Sequence, residues 1–180
     1  MHSELAIGDR SMSELRLRIV EREHAVFGSC GVESIDSLVK GAYAATLFKQ
    51  VLAYDILVDE TVVGSCMLRF AVITDEEYYV GNPEYAAIEI AYIAIGEKFQ
   101  HKGFGNAVLT RLILYSRQLA KTLPIRFLIV EALPKKVQWY RDAGFEMYER
   151  RKDSRYDHTS SMRMDFIDRP VVESYAEQQY

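Results

Sequence analysis

Gln100-His101-Lys102-Gly103-Phe104-Gly105 separates an apolar run, residues 88–95, from a helical pattern over residues 106–119. A loop that leaves a strand and starts a helix presents backbone N–H groups at the positive end of the helix dipole, where a phosphate binds. The glycines at positions 103 and 105 remove side chains that would keep a pyrophosphate away from that backbone. The spacing differs from the glycine patterns of dinucleotide and nucleoside-triphosphate loops. The stretch therefore predicts a binding loop for a phosphorylated cofactor other than a dinucleotide or a nucleoside triphosphate.

A second pattern lies further along the chain, between Pro134 and Phe145. Pro134 suits the first turn of a helix, and Val137 and Tyr140 fall on one helix face. Gly144 suits a left-handed residue just after the helix ends. This part of the sequence predicts a strand, a short helix and another strand.

Hydrophobic periodicity predicts the remaining elements. The predicted strands cover residues 15–19, 53–58, 62–73, 88–95, 125–130 and 160–167, and the predicted helices cover 34–50 and 106–119. The apolar stripe of the first helix consists of Ile35, Leu38, Val39, Ala42 and Ala45. The short polar connection Asp59-Glu60-Thr61 indicates a hairpin, and residues 74–85 form a polar loop. The nearly continuous apolar run 88–95 is typical of a central strand covered on both faces.

The composition fits a single globular domain. The chain has 180 residues, of which 49% are hydrophobic, enough to bury a sizeable core. We assign residues 1–167 to this domain and residues 168–180 to a polar C-terminal tail that frays or serves in association. The sequence has no apolar run long enough to span a bilayer and no apolar signal segment near residue 1, which favours a cytoplasmic location without membrane contact.

Metal and nucleic-acid binding have little support in the sequence. Cys30 and Cys66 are the only cysteines, and neither has a histidine partner at a metal-ligand spacing. We therefore expect neither a disulfide framework nor a metal site. The net charge of −4 gives no global attraction to a phosphate backbone.

Together, the two motifs resemble those of the GCN5-related N-acetyltransferases, the GNAT family. The resemblance covers residues 50–150 and implies an α/β (α+β) fold with a mixed, mostly antiparallel central sheet, splayed between two strands and flanked by helices. It implies acetyl-CoA as cosubstrate, with the pantetheine arm pairing with the backbone of Ile93, Ala94 and Ile95. The implied contacts to the phosphates come from Gln100, His101, Lys102, Gly103, Phe104, Gly105 and Asn106.

The same resemblance gives Tyr140 a catalytic role. It matches the tyrosine that lies near the thioester sulfur in the family and gives a proton to the departing thiolate. A phenol suits this task because its O–H group can be held in place by the protein. Without the surrounding motif, Tyr140 would be interpreted as an ordinary aromatic residue of the core.

Two carboxylates are candidates for the base that accepts the proton of the amine. Glu89 lies on the apolar central strand, where a charge is costly unless it has a task or a partner. Strand alternation places it on the same face as Ala91, Ile93 and Ile95. Glu131 lies at the end of the following strand and is the second candidate. The alternative for both is a structural or ion-pair contact.

The acetyl acceptor is the least constrained feature. Leu133 stands where many family members have an asparagine, and residues 130–140 look instead like a subgroup of toxins that acetylate the amino group of aminoacyl-tRNA. Residues 27–31 and 35–38 are similar to the same subgroup. Against this, Asp75, Glu76 and Glu77 make the loop before the central strand acidic, which repels phosphate and attracts a cationic amine.

We therefore predict an N-acetyltransferase that transfers acetyl from acetyl-CoA to a primary amine by direct attack on the thioester. A toxin that blocks aminoacyl-tRNA is the alternative, and it would make tRNA a partner. A second alternative is an acyl-CoA-binding module without turnover. The resemblance and the tyrosines of the tail, Tyr175 and Tyr180, favour a homodimer.

Overall fold

A computed structural model describes residues 14–21, 27–74, 83–148 and 158–177. These residues form seven strands and four helices: β1 Leu15–Ile19, α1 Glu33–Leu47, β2 Leu52–Val58, β3 Thr61–Thr74, β4 Glu84–Ile95, α2 Phe104–Ala120, β5 Ile125–Ala132, α3 Val137–Asp142, β6 Glu146–Met147, β7 Ser160–Asp165 and α4 Arg169–Glu177. The strands make one sheet in the order β1-β2-β3-β4-β5-β7-β6. The pairs β1–β2, β2–β3, β5–β7 and β6–β7 are antiparallel. The predicted α/β class with a mostly antiparallel sheet is confirmed.

The described residues pack into two compact units. The first comprises residues 14–21, 27–69 and 90–112. Its core is apolar and is drawn from the segment before α1, from α1 itself and from β2, β3 and β4: Phe27, Cys30, Val39, Ala42, Ala53, Met67, Tyr92 and Ala94. Burial of this set removes apolar surface from water and stabilises the unit.

The second unit comprises residues 70–74, 83–89, 113–148 and 158–177. Its core contains Ile73, Ala87, Phe127 and Ile129. A buried ion pair joins β5 to β7, with Arg126 Nη2 3.0 Å from a carboxylate oxygen of Asp165 and each side chain only 6% exposed. The Arg126 guanidinium also lies over the rings of Tyr85 and Phe127, 4.5 Å from each centroid. Stacking on aromatic rings suits the guanidinium, which is a planar, weakly hydrated cation.

The predicted hairpin between β2 and β3 is confirmed, and its turn is shorter than the three-residue connection expected. Val58 pairs with Thr61, so only Asp59 and Glu60 form the loop. Both residues have positive φ angles, 47° and 65°. Two-residue hairpin loops adopt this conformation because its twist matches that of the flanking strands.

Several predicted boundaries and faces differ from the structure. Helix α1 ends at Leu47 rather than at residue 50, and Leu38 of its predicted apolar stripe is 47% exposed. Thr46 is buried instead, and its hydroxyl accepts a hydrogen bond of 3.3 Å from Ala53 N. A polar residue can occupy that core position because the hydroxyl is paired with the backbone.

The remaining differences concern the ends of two elements and the tail. Strand β4 begins at Glu84, four positions before the predicted start at Ile88. Most of the tail, which was expected to fray or to serve in association, forms α4, residues Arg169–Glu177. The acidic residues 75–77 lie outside the described residues. No helix in the described part of the chain is long and apolar enough to cross a membrane.

Candidate functional site

The end of β4 and the loop that follows it contain the residues that were predicted to bind the phosphates of the cofactor. Gly96 N donates to Val63 O at 2.9 Å, and a single 3₁₀ turn over Glu97–Phe99 leads into the loop. Helix α2 then starts with a hydrogen bond of 3.1 Å from Ala107 N to Gly103 O. The backbone N–H groups ahead of that bond point out of the helix N-terminus, where an anion is favoured.

The loop is open, and its backbone conformation at Gly103 favours glycine. Gly103 has a φ of 83°, and a Cβ atom built there would meet no atom within 4 Å. His101 also has a positive φ, 60°. The left-handed backbone at Gly103 therefore requires glycine for conformation rather than for space inside the protein, and the outer side of the loop is accessible to a ligand. This geometry fits a pyrophosphate.

The electrostatics of the loop also favour an anion. The first turn of α2 contains no acidic residue. Lys98 Nζ and Lys102 Nζ lie over the ring of Phe99, 4.9 Å and 5.8 Å from its centroid. Two ammonium groups thus lie on the ring of Phe99, next to the loop in the chain, and their positive charge favours a nearby anion.

The start of α2 differs from the prediction. The helix begins at Phe104, so Phe104 and Gly105 belong to its first turn rather than to the preceding loop. Glycine is unfavourable inside a helix, which explains why the sequence pattern placed Gly105 outside it. The difference moves the backbone N–H of Gly105 into the first helical turn, the part of a helix that binds anions.

Gln100 has its side chain directed into the protein. Its Nε2 atom donates to Cys30 O and to Ile95 O, each at 2.9 Å. The amide therefore ties the loop to the end of β4 and to the segment that precedes α1. Any contribution of this side chain to phosphate binding is indirect, through the shape of the loop.

The strand residues expected to pair with the pantetheine arm lie at the C-terminal end of β4. Ala94 is 1% exposed, while Ile93 and Ile95 are half-buried. Gly64 of β3 approaches this end so closely that a Cβ atom there would collide with the carbonyl oxygen of Ala94 and lie 3.1 Å from Ile95 Cα. The absence of a side chain at Gly64 is thus required for the position of β4.

Tyr140 lies in α3 and is 6% exposed. Its ring centroid is 4.7 Å from that of Trp139 and 5.4 Å from that of Phe145, the latter edge to face. The helix ends with Gly144 at a φ of 94°, as the sequence predicted. Burial raises the pKa of the Tyr140 phenol above its ordinary value, so the hydroxyl keeps its proton throughout the neutral range.

The two candidate bases have different surroundings. Glu131 of β5 accepts hydrogen bonds from Thr159 Oγ1 and Ser161 Oγ, each at 3.0 Å, and pairs in register with Ser161. These contacts are those of a structural carboxylate that joins β5 to β7. Glu89 of β4 is 2% exposed, which makes it one of the few buried charged residues of the described chain.

The structure divides the predicted site residues between the two units. The end of β4 and the phosphate loop lie together in the first unit, where Gln100 joins them. Glu89, Glu131 and Tyr140 lie in the second unit. In the described part of the chain, no group of three histidine, cysteine, aspartate or glutamate side chains could hold a metal ion.

Sequence reasoning missed the role of Asp36. Its carboxylate accepts hydrogen bonds from Cys30 N at 2.9 Å and Ser29 Oγ at 2.5 Å. These bonds hold the pKa of Asp36 below its usual range. The only sequence signal was the resemblance of residues 27–31 and 35–38 to the toxin subgroup, which named the residues without giving them a function.

Comparisons with known proteins give structural neighbours only. No protein-family model matches the sequence, and none of the curated proteins matches it. The AtaT toxin complexed with acetyl-methionyl-tRNAfMet superimposes with a TM-score of 0.71 at 15% identity, covering 88% of this chain and 99% of AtaT. AtaTR bound with acetyl-CoA gives a TM-score of 0.70 at 15% identity, covering 89% and 97%.

A tyrosine-to-phenylalanine mutant of KacT also gives a TM-score of 0.70 at 15% identity, covering 89% of this chain and 98% of KacT. AtaT and KacT are GNAT toxins, and each comparison spans almost the whole of both chains. The chain has the GNAT fold. Its match to the GNAT toxins confirms the fold that the two sequence motifs implied.

Proposed function

We propose that this protein is an acetyl-CoA-dependent N-acetyltransferase that acts by direct attack of a primary amine on the thioester. The observation that carries the proposal is the loop at the end of β4, whose backbone at Gly103 and at the start of α2 is open to an anion in a chain with the GNAT fold. Acetyl-CoA supplies the activated acetyl group and a pyrophosphate that this loop would hold.

The remaining cofactor contacts follow from the same placement. The backbone of Ile93, Ala94 and Ile95 would bind the pantetheine arm as a neighbouring strand would. Backbone N–H groups at this edge would stabilise the negative charge that develops on the thioester oxygen. Lys102, beside the loop, would add charge to the phosphate grip, and His101 would contribute its backbone.

Tyr140 would act as the general acid. It donates its phenolic proton to the thiolate that leaves when the C–S bond breaks and the new C–N bond forms. Its phenol is protonated at neutral pH, as a general acid must be at the start of each cycle. The structural neighbour KacT was solved as a tyrosine-to-phenylalanine mutant, which also supports a functional tyrosine in this fold.

Glu89 would act as the base that accepts the proton of the attacking amine, directly or through a water molecule. Its burial supports the assignment because a buried carboxylate is costly unless it has a task or a partner. Glu131 is the second candidate, and its carboxylate accepts hydrogen bonds from Thr159 and Ser161.

There are two candidate classes of acetyl acceptor. A cationic small amine or basic peptide is favoured by the net charge of −4 and by the acidic residues 75–77 of the sequence. Aminoacyl-tRNA is favoured by the neighbour AtaT, which was captured with acetyl-methionyl-tRNAfMet. In that second case the protein would be a toxin, and an antitoxin would be its partner, as AtaR is for AtaT.

The test is transfer of labelled acetyl from acetyl-CoA to pooled aminoacyl-tRNA, with polyamines and basic peptides in parallel reactions. Tyr140→Phe serves as the matched inactive control. Label on tRNA that is lost in the control establishes the toxin activity and refutes the charge argument. Label on an amine but none on tRNA supports the general acetyltransferase. Binding of acetyl-CoA without transfer to any acceptor would instead identify a non-catalytic module.

A further inference from the structure

A hydrogen-bonded cluster connects the first turn of α1 to the segment before it and to the loop between β4 and α2, called the cofactor loop below. We call it the Asp36 clasp, consisting of Ser29, Cys30, Asp36 and Gln100. Asp36 accepts from Cys30 N and Ser29 Oγ, and Ser29 Oγ in turn accepts from Gly31 N at 2.9 Å. One carboxylate on α1 thereby fixes the backbone of three consecutive residues.

The fixed backbone then holds the cofactor loop. Cys30 O and Ile95 O both accept hydrogen bonds from Gln100 Nε2. Ser29 O accepts a third bond, of 3.0 Å, from Glu97 N. The end of β4 and the start of the loop are therefore both tied to the segment that Asp36 positions.

The contact between the segment before α1 and the end of β4 is closely packed. A Cβ atom at Gly96 would lie 2.6 Å from Phe27 O, and one at Gly31 would lie 3.1 Å from Glu97 Oε1. Gly31 also has a φ of 81°, which favours glycine. Because Gly96 approaches the backbone of Phe27 and Glu97 N donates to Ser29 O, a shift of residues 27–31 must move the start of the loop or open a gap.

We propose that Asp36 is a positioning residue for acetyl-CoA, acting through Cys30 and Gln100 to preorganise the β4 end and the phosphate loop. The inference rests on the proposed function. Preorganisation matters because a loop that must be ordered on binding loses affinity to the entropy of ordering. Asp36 itself touches neither the cosubstrate nor the reacting atoms.

Calorimetric titration with acetyl-CoA tests the proposal. We expect Asp36→Ala and Gln100→Ala each to raise Kd about tenfold, the size of one hydrogen bond to a charged group or one ordered loop contact. The double variant should bind about as weakly as the weaker single variant, since both act through one path. KM for acetyl-CoA should rise with Kd in both single variants, while kcat at saturation stays within about twofold of wild type in Asp36→Ala.

Matched variants separate positioning from general stability. Glu33→Gln removes a second acidic residue from the first turn of α1 that takes no part in the clasp, and it should leave Kd unchanged. Asp36→Asn retains one acceptor oxygen and should recover part of the affinity. Wild-type affinity in both Asp36→Ala and Gln100→Ala, or multiplicative effects in the double variant, would overturn the proposal. Should Asp36→Ala fail to fold, Asp36→Asn and Gln100→Ala carry the same test.

Amide hydrogen exchange without ligand distinguishes failure of the clasp from failure of the proposed function. Residues 96–103 should exchange faster in Asp36→Ala and Gln100→Ala than in wild type, and at the wild-type rate in Glu33→Gln. Unchanged exchange in the first two variants overturns the clasp. Faster exchange in a protein whose wild type binds no acetyl-CoA overturns the proposed function instead.

Discussion

Tyr140 is the residue whose substitution tests the chemistry most directly. Its ring packs against Trp139 and Phe145, and Tyr140→Phe keeps those ring contacts. We expect kcat to fall about 100-fold through loss of the acid, while the free energy of unfolding changes by about 1 kcal/mol or less. Steady-state kinetics and denaturant unfolding measure the two effects. A kcat near that of wild type would exclude Tyr140 as the required acid.

The raised pKa of Tyr140 predicts how the proposed activity depends on pH in the alkaline range. Free tyrosine loses its proton near pH 10. Because the native state holds the Tyr140 proton more tightly, the acid stays competent beyond the pH at which a free phenol ionises. The kcat profile should therefore show no alkaline fall due to Tyr140 up to about pH 10. A tyrosine-dependent fall between pH 8 and 9, absent in Tyr140→Phe, would contradict this.

The same shift makes Tyr140 sensitive to pH in its effect on stability. Its raised native pKa means that its contribution is complete below the unfolded pKa of about 10 and is lost as pH rises further. The difference in unfolding free energy between wild type and Tyr140→Phe should therefore move against wild type only above about pH 10. Paired unfolding curves at pH 8 and pH 10.5 provide the comparison.

Glu89 and Glu131 differ in surroundings and should differ in effect. Glu89→Gln removes the proposed base, so we expect kcat to fall about 100-fold. Glu131→Gln should retain activity within a few-fold and lose about 1 kcal/mol of stability, because the contacts to Thr159 and Ser161 are weakened. Kinetics and unfolding of both variants are the measurement. The reverse pattern would assign the base to Glu131.

At the scale of elements, the close approach of β3 to β4 is the most constrained packing near the cofactor loop. A Cβ atom at Gly64 would collide with Ala94 O, which belongs to the backbone and cannot rotate away. We expect Gly64→Ala to lower the free energy of unfolding by about 2 kcal/mol or more. Denaturant unfolding checks this value, and acetyl-CoA affinity should fall with it.

Gly41 provides the matched control for that substitution. It lies inside α1, where a Cβ atom would meet nothing within 4 Å. Since alanine is the better helix former, Gly41→Ala should raise stability by about 0.5–1 kcal/mol. Equal effects of the two substitutions would show that glycine content, rather than the contact at Gly64, governs the result.

Periodicity located the elements better than it located their ends. The strand alternation of residues 15–19 and the hairpin after Val58 predicted β1, β2 and β3 closely, because side chains on a half-buried strand alternate in polarity. Helix ends were missed at Leu47 and Phe104. Helix termini depend on which backbone groups find partners, and the apolar pattern does not record this.

At the scale of the whole molecule, net charge and acceptor are connected. The chain carries 26 acidic and 22 basic residues, excluding histidine, and thus has no overall attraction to tRNA. If aminoacyl-tRNA is the acceptor, local basic groups must contact its phosphates. The value of kcat/KM should then fall steeply with salt, by a log–log slope of about −0.7 to −0.9 per phosphate contacted.

A small cationic amine should behave differently. Its single or double charge is screened over the same range of salt, so kcat/KM should change only by about a few-fold. Measurement of kcat/KM between 50 mM and 300 mM salt distinguishes the two cases with any acceptor that takes the label. A flat profile with aminoacyl-tRNA would show that recognition does not depend on phosphate contacts.

The sequence alone determined the α/β class, the order of the elements from β1 to β7 and the glycine-containing loop that precedes Phe104. These depend on local patterns: alternation, helical period, and glycines where the backbone must adopt a positive φ. Only the tertiary structure decided that the Gln100 side chain holds Cys30 and Ile95, that Glu131 is engaged with β7, and that Asp36 supports the loop. Asp36 and Gln100 are 64 positions apart in the sequence. Contacts at such separations arise when the chain folds back on itself, and single-sequence periodicity carries no record of them.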